Sequence, residues 1–188
     1  MCAIEVEIPR APAPAARAVV GAERLVLRSP CMADAPAIAE LANDYGVAGM
    51  TANLPWPYGL SDAEAWLARA ATADPATNAA FAVEHRHFGL IGVLGFHEKA
   101  PRRAELGYWF GRPFWGRGYA TEAAVAALGW ARTEWRRNVV WAGHFADNRA
   151  SGQVLVKAGF LYTGDVERRP CAARGGEPVA TRMMVWLA

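Results

Sequence analysis

Cysteine is scarce in this chain of 188 residues. Cys2, Cys31 and Cys171 are odd in number and far apart, so no disulfide framework is implied. Neither sign of charge is in excess: 20 basic residues against 18 acidic ones leave +2. That is too little to expect nucleic acid or an anionic membrane as a partner. No apolar run reaches the roughly 18 residues that a spanning helix needs. The first residues carry Glu5, Glu7 and Pro9 instead of the basic-then-apolar layout of a secretory leader. A cytoplasmic protein is the expectation. Metal ligands are also sparse. His85 and His87 share a strand face, but no Cys, Asp or Glu cluster completes a zinc shell, so no metal is expected. The eight tryptophans lack the basic stripe that a single-stranded nucleic-acid surface would interleave with them.

What is present is a composition ordinary for a globular chain, 53% hydrophobic and 20% charged, long enough to bury a real core. Residues 1–22 are rich in alanine and proline and aperiodic, which predicts a disordered tail ahead of a single domain over 23–188. Glu23 to Arg28 alternates polar and apolar, a first strand. Asp34 precedes a helical pattern through Ile38, Leu41 and Tyr45, and Ser61 with Glu64 signals a capped second helix over about 62–73. Phe81 to Glu84 and Leu90 to His97 read as a hairpin, followed by a strand over Ala104 to Phe110. A helix over Thr121 to Trp135, a strand over Val139 to His144 and a helix over Asn148 to Ala158 come next. Strands over Phe160 to Thr163 and Met183 to Leu187 close the chain, joined by a polar Gly/Arg-rich loop. That order is α/β with a mixed sheet.

The organising stretch is Trp115-Gly116-Arg117-Gly118-Tyr119-Ala120-Thr121-Glu122. Two glycines between a strand and a helix allow positive φ and a close approach of backbone to ligand. The helix start behind them adds unpaired N–H groups and a positive dipole end. Together they form an anion site suited to pyrophosphate. The turn fits neither common fingerprint: no lysine follows as in a Walker A loop, and Thr121 stands where a dinucleotide loop needs its third glycine.

A second pattern is Asn148-x-x-Ser151-x-x-Val154-x-x-Lys157-x-Gly159-Phe160. Asn148 is a preferred N-cap, Lys157 suits a last turn and Gly159 a C-cap. Ser151 shares the inward stripe with Val154, Leu155 and Ala158, where a hydroxyl needs a partner. Back-bonding to a helix carbonyl is one way to provide it. On the Ala104 strand, Leu106, Tyr108 and Phe110 point to one face and Glu105, Gly107 and Trp109 to the other. Glu105, on the strand feeding the glycine turn, is a candidate general base. That role requires burial to raise its pKa. Gly107 suits a close-approaching oxyanion donor, a bulge or tight packing. His144, at a strand end, is a second candidate base; Trp56 and Tyr58 are candidates for an acceptor pocket.

The glycine turn resembles the acyl-CoA pyrophosphate loop of the GNAT N-acetyltransferases, Gln/Arg-x-x-Gly-x-Gly/Ala. Trp115 takes the first position, where it departs from Gln or Arg, Gly118 the fourth and Ala120 the sixth. Trp-Gly-x-Gly-Tyr-Ala-Thr-Glu-Ala is similar to the version in the RimJ/RimL-like branch, and the element order resembles the GNAT order over about 23–187. The resemblance implies a mixed, mostly antiparallel twisted sheet of six or seven strands with about four helices. It implies acetyl-CoA as acetyl donor, held by Gly116, Arg117, Gly118, Tyr119, Ala120 and Thr121 with Asn148 and Lys157. It also implies that the pantetheine runs between the Ala104 and Val139 strands where they splay. Ser151 would protonate the departing thiolate, with Glu105, or else His144, as base. The implied acceptor is a primary amine: a protein N-terminus, or a polyamine, aminoglycoside or amino acid. A non-catalytic acyl-CoA sensor is the alternative from another class. A monomer or homodimer is expected.

Overall fold

A computed structural model describes residues 19–100 and 103–188. Eight strands make one sheet: β1 (Val19–Gly21), β2 (Leu25–Arg28), β3 (Asn78–His85), β4 (Gly89–Ala100), β5 (Arg103–Phe110), β6 (Val139–Phe145), β7 (Leu161–Pro170) and β8 (Pro178–Leu187). Their spatial order is β1-β2-β3-β4-β5-β6-β8-β7. The helices are α1 (Ala35–Ala42), α2 (Tyr45–Ala48), α3 (Leu60–Thr72), α4 (Tyr119–Thr133) and α5 (Arg149–Lys157). Among the described residues no helix is long and apolar enough to cross a membrane.

The alternation along each strand sorts the core into two layers. Phe81, Leu94, Phe96 and Leu106 meet α4 and α5 through Ala123, Ala127, Leu128 and Leu155. The alanines on the inner face of α4 let that helix lie close to the sheet. On the other face Val93 and Trp109 meet Ile38, Ala42, Ala63 and Leu67 of α1 and α3.

Every neighbouring pair is antiparallel except β5 and β6. These two run parallel and pair only at Ala104–Val140, Glu105–Trp141 and Leu106–Ala142. Both strands continue beyond that point without pairing to each other, and the wedge between them opens toward the starts of α4 and α5.

The structure departs from the sequence expectations at four places. Residues 19–21, expected in the tail, form β1 against β2; the rest of the expected tail lies outside the described residues. The first helix ends at Ala42. Asp44 is extended and accepts from the Gly46 N–H at 2.7 Å, so Tyr45 opens a separate short helix and stands half exposed. These two elements raise the counts among the described residues to eight strands and five helices. The start of α3 is capped by Asp62 accepting from Gly59 N–H at 2.8 Å, two residues ahead of the expected Ser61–Glu64 box. Finally, the expected loop after Thr163 is strand over 164–170 and again from Pro178: β7 and β8 pair from Leu161–Val185 to Pro170–Pro178 around a register shift.

Candidate active site

Gly116 (φ 72°) and Gly118 (φ 80°) both adopt the left-handed conformation that side chains resist. A Cβ at Gly116 would meet nothing within 4 Å, so packing does not demand the glycine there. Gly118 caps α4 without a side-chain partner for the helix N–H groups. The first of those groups to be used within the helix is Glu122 N–H, donated to the Gly118 carbonyl at 3.0 Å. The amides of Tyr119, Ala120 and Thr121 therefore precede the helix ladder, and all three residues line the cleft. Arg24 braces this turn. Its Nη1 donates to the Arg117 carbonyl at 3.2 Å, its Nε to Glu122 at 2.8 Å, and its guanidinium lies 4.6 Å from the Tyr119 ring centroid. Sequence reasoning missed Arg24, which reads there only as a polar residue of an alternating strand. Arg117 is exposed and does not line the cleft, unlike the other turn residues expected to hold the cofactor; its carbonyl accepts from Arg24.

The wedge between β5 and β6 belongs to a cleft of about 1700 Å³ that the glycine turn, Gly107, Tyr108, Asn148, Ser151 and Lys157 all line. Gly107 sits one residue beyond the last β5–β6 pair. A Cβ there would meet nothing within 4 Å, and the β4–β5 register runs unbroken through Gly95–Gly107. Neither tight packing nor a bulge explains this glycine. Asn148 caps α5, its Oδ1 accepting from Ser151 N–H at 3.1 Å. The Ser151 hydroxyl does not back-bond along the helix. It lies 2.9 Å from the Tyr108 hydroxyl, which also donates to the Ser151 carbonyl at 3.2 Å. Burial pushes the Tyr108 phenol up to about 12, against the opposing bond from Ser151.

Glu105 is buried at 4% exposure. Arg169 of β7 grips it through both guanidinium nitrogens, Nη1 to Oε1 and Nη2 to Oε2 at 2.9 Å. Lys99 Nζ lies 3.3 Å from Oε1. Burial alone would raise this carboxyl, but the Arg169 bonds and charge, with Lys99 behind them, hold it below the ordinary glutamate range. The raised pKa expected for a Glu105 base is therefore overturned. His97 is paired with Glu105 across β4 and β5, and both line the cleft. Burial, the dominant influence, lowers the His97 pKa despite the Glu105 charge.

His144 is buried, and both ring nitrogens are occupied within the protein. Nδ1 lies 2.8 Å from the Phe145 carbonyl, which only accepts, and Nε2 lies 3.0 Å from the Tyr162 hydroxyl. In the neutral ring Nδ1 therefore carries the proton, and the Nε2 lone pair takes the tyrosine hydrogen. A free lone pair for the cleft, which the second candidate base needs, is missing from this arrangement. Tyr58 is buried against α3 and lines the cleft; Trp56 is half exposed and stacks edge-on with Tyr45 instead. Among the described residues no group of three metal-ligating side chains forms.

A family model for the acetyltransferase (GNAT) domain matches residues 24–161. The chain belongs to the GNAT acetyltransferase family. Within the family, it is 36% identical over 77 residues to the uncharacterized N-acetyltransferase YoaA of Bacillus subtilis (strain 168). That match covers 40% of this chain and 44% of YoaA, so the chain spans less than half of that curated relative. Solved GNAT-type structures align over nearly the whole molecule. A GNAT-family acetyltransferase from Bacillus anthracis gives a TM-score of 0.77 at 24% identity, covering 90% of this chain and 98% of the other. RimJ of Mycobacterium smegmatis in complex with CoA-disulfide gives 0.76 at 22%, over 92% and 88%. Spermidine N-acetyltransferase from Vibrio cholerae in complex with CoA and spermine gives 0.73 at 21%, over 87% and 95%. At these identities the likeness carries the GNAT fold alone.

Proposed function

We propose that the protein transfers an acetyl group from acetyl-CoA to a primary amine of α-amine type, such as a protein N-terminus, by direct attack in a ternary complex. The observation that carries the choice of amine is the Glu105–Arg169 ion pair. A carboxylate held ionised below its ordinary range is a poor match for proton abstraction near pH 7. A lysine-like amine is only about 0.04% neutral at pH 7, whereas an α-amine near 7.8 is more than about 10% neutral. The acceptor in this reading arrives largely ready to attack. His97 lines the same cleft, and burial, which lowers its pKa, favours the neutral imidazole that would receive the proton released after attack.

The remaining requirements are assigned in this reading to groups in the glycine turn and along the cleft. The amides of Gly116 to Thr121 would hold the pyrophosphate, with the Lys157 ammonium at the cleft wall. The open backbone at Gly107 would polarise the thioester carbonyl. Ser151 would give its proton to the thiolate. The Trp115-to-Ala123 and Asn148-to-Phe160 motifs support a place in the RimJ/RimL-like branch.

The test is a thiol-release assay at pH 7 with acetyl-CoA and three acceptors: free-N-terminal peptides, Nα-blocked lysine peptides and spermidine. The free N-terminus should lead by at least about tenfold in kcat/KM, with the advantage shrinking as pH rises toward the lysine pKa. Equal or better turnover of spermidine or lysine at pH 7 would overturn the acceptor assignment. Acetyl-CoA binding without CoA release for any amine would instead make the protein a sensor.

A further inference from the structure

Tyr108 occupies a singular place in the wedge. It lies two residues beyond the last β5–β6 pair, on the strand face that carries Leu106 and Phe110 against the main core. From there its hydroxyl reaches the first turn of α5 and meets Ser151 twice, at the hydroxyl (2.9 Å) and at the carbonyl (3.2 Å). The phenol has one proton and two acceptors. When that proton goes to the carbonyl, the Ser151 hydrogen is free to turn toward Tyr108 and away from the cleft. When it goes to Ser151 Oγ, the serine hydrogen is directed elsewhere, and Ser151 lines the cleft.

We propose that Tyr108 is a positioning residue for Ser151, aiming the serine proton at the leaving sulfur and replacing it once it is gone. The inference rests on Ser151 serving the leaving group, as proposed above. As the C–S bond breaks, its electron pair stays on sulfur, and the sulfur takes the proton of Ser151 Oγ. The Tyr108 proton moves to Ser151 Oγ, and a proton from solvent restores the phenol. A phenol is a stronger acid than an aliphatic hydroxyl, so the second transfer relieves the alkoxide that the first would leave. With its pKa pushed up to about 12, Tyr108 stays protonated through the working range and keeps a proton to donate.

Tyr108→Phe keeps the ring in the core and deletes the hydroxyl. It should lower kcat by about 10- to 100-fold, the usual share of a positioned proton donor, and leave the KM for acetyl-CoA within about twofold. In a Ser151→Ala background the same change should add almost nothing, because residues acting as a unit are not additive. The selenium analogue of acetyl-CoA, whose leaving group is a weaker base, should shrink the loss markedly. An unchanged kcat, an additive double variant, or an equal loss with sulfur and selenium donors would overturn the inference. Those results leave wild-type acetyl transfer intact, whereas failure of wild type to release CoA with any amine removes the acetyl-transfer reading itself and this inference with it.

Discussion

Taking one partner from a buried ion pair strips the other of part of its charge compensation, which costs more than the pair itself contributes. Arg169 keeps only 13% of its side-chain surface exposed beside Glu105, and would retain Glu167, which accepts from its Nε at 3.0 Å and its Nη2 at 2.8 Å. Glu105→Gln should therefore lower the unfolding free energy by about 1.5 to 3 kcal/mol, read from urea denaturation. The same variant should change kcat/KM for a free-N-terminal peptide by less than about tenfold. A loss of about 100-fold with stability unchanged would return Glu105 to the role of base. The position of Glu105 was legible from strand alternation, but its charge state was not. Its partner lies on β7, 64 residues away. That strand is largely exposed along its length and has no apolar alternation to announce it. With Gly164, Gly175 and Gly176 nearby, the stretch reads as a loop.

The glycine turn was legible as an element because its chemistry is local: a positive φ, an uncapped helix start and the strand before it. Acetyl-CoA at 100 times Kd should add about 2.7 kcal/mol of stability, visible as a raised melting temperature. Gly118→Val should abolish that rise. A β-branched residue resists φ 80°, which would disturb the turn that presents the helix N–H groups. An undiminished ligand-induced rise in that variant would show that the pyrophosphate binds elsewhere. The start of α5 was equally readable from Asn148. The end of α1 was not, because Tyr45 continues the helical spacing and only the local turn at Asp44 breaks it. A strand of three residues such as β1 is too short to show a period at all.

Charge buried by the whole fold sets its response to acid. Glu105 and Asp34, each bound to an arginine, have folded pKa values below their unfolded ones, the bonds outweighing the opposing effect of burial. The stability they contribute is complete above about pH 4 to 5 and is lost as pH falls through the folded values. His97 is likewise lowered, by burial, so the unfolded chain takes up a proton first as pH drops through about 6.5. Urea midpoints should decline gently from pH 7 to 5 and steeply below 4. His97→Gln should flatten the upper decline, and Glu105→Gln the lower one. Midpoints unchanged across that span in wild type would contradict this assignment.

The open wedge also bears on how quickly individual amides trade hydrogen for deuterium. β4 holds β5 in register as far as Gly92–Phe110, while β6 lets go after Leu106–Ala142. Along 107–110, amides turned toward β4 are bonded within the sheet, and those turned toward β6 face the gap. Exchange there should alternate between slow and fast at single-residue spacing, in the middle of an eight-stranded sheet where uniform protection is otherwise the rule. Saturating acetyl-CoA should slow the fast members selectively and leave their neighbours unchanged. Uniformly slow exchange over 107–110 without ligand would mean that the two strands close in solution.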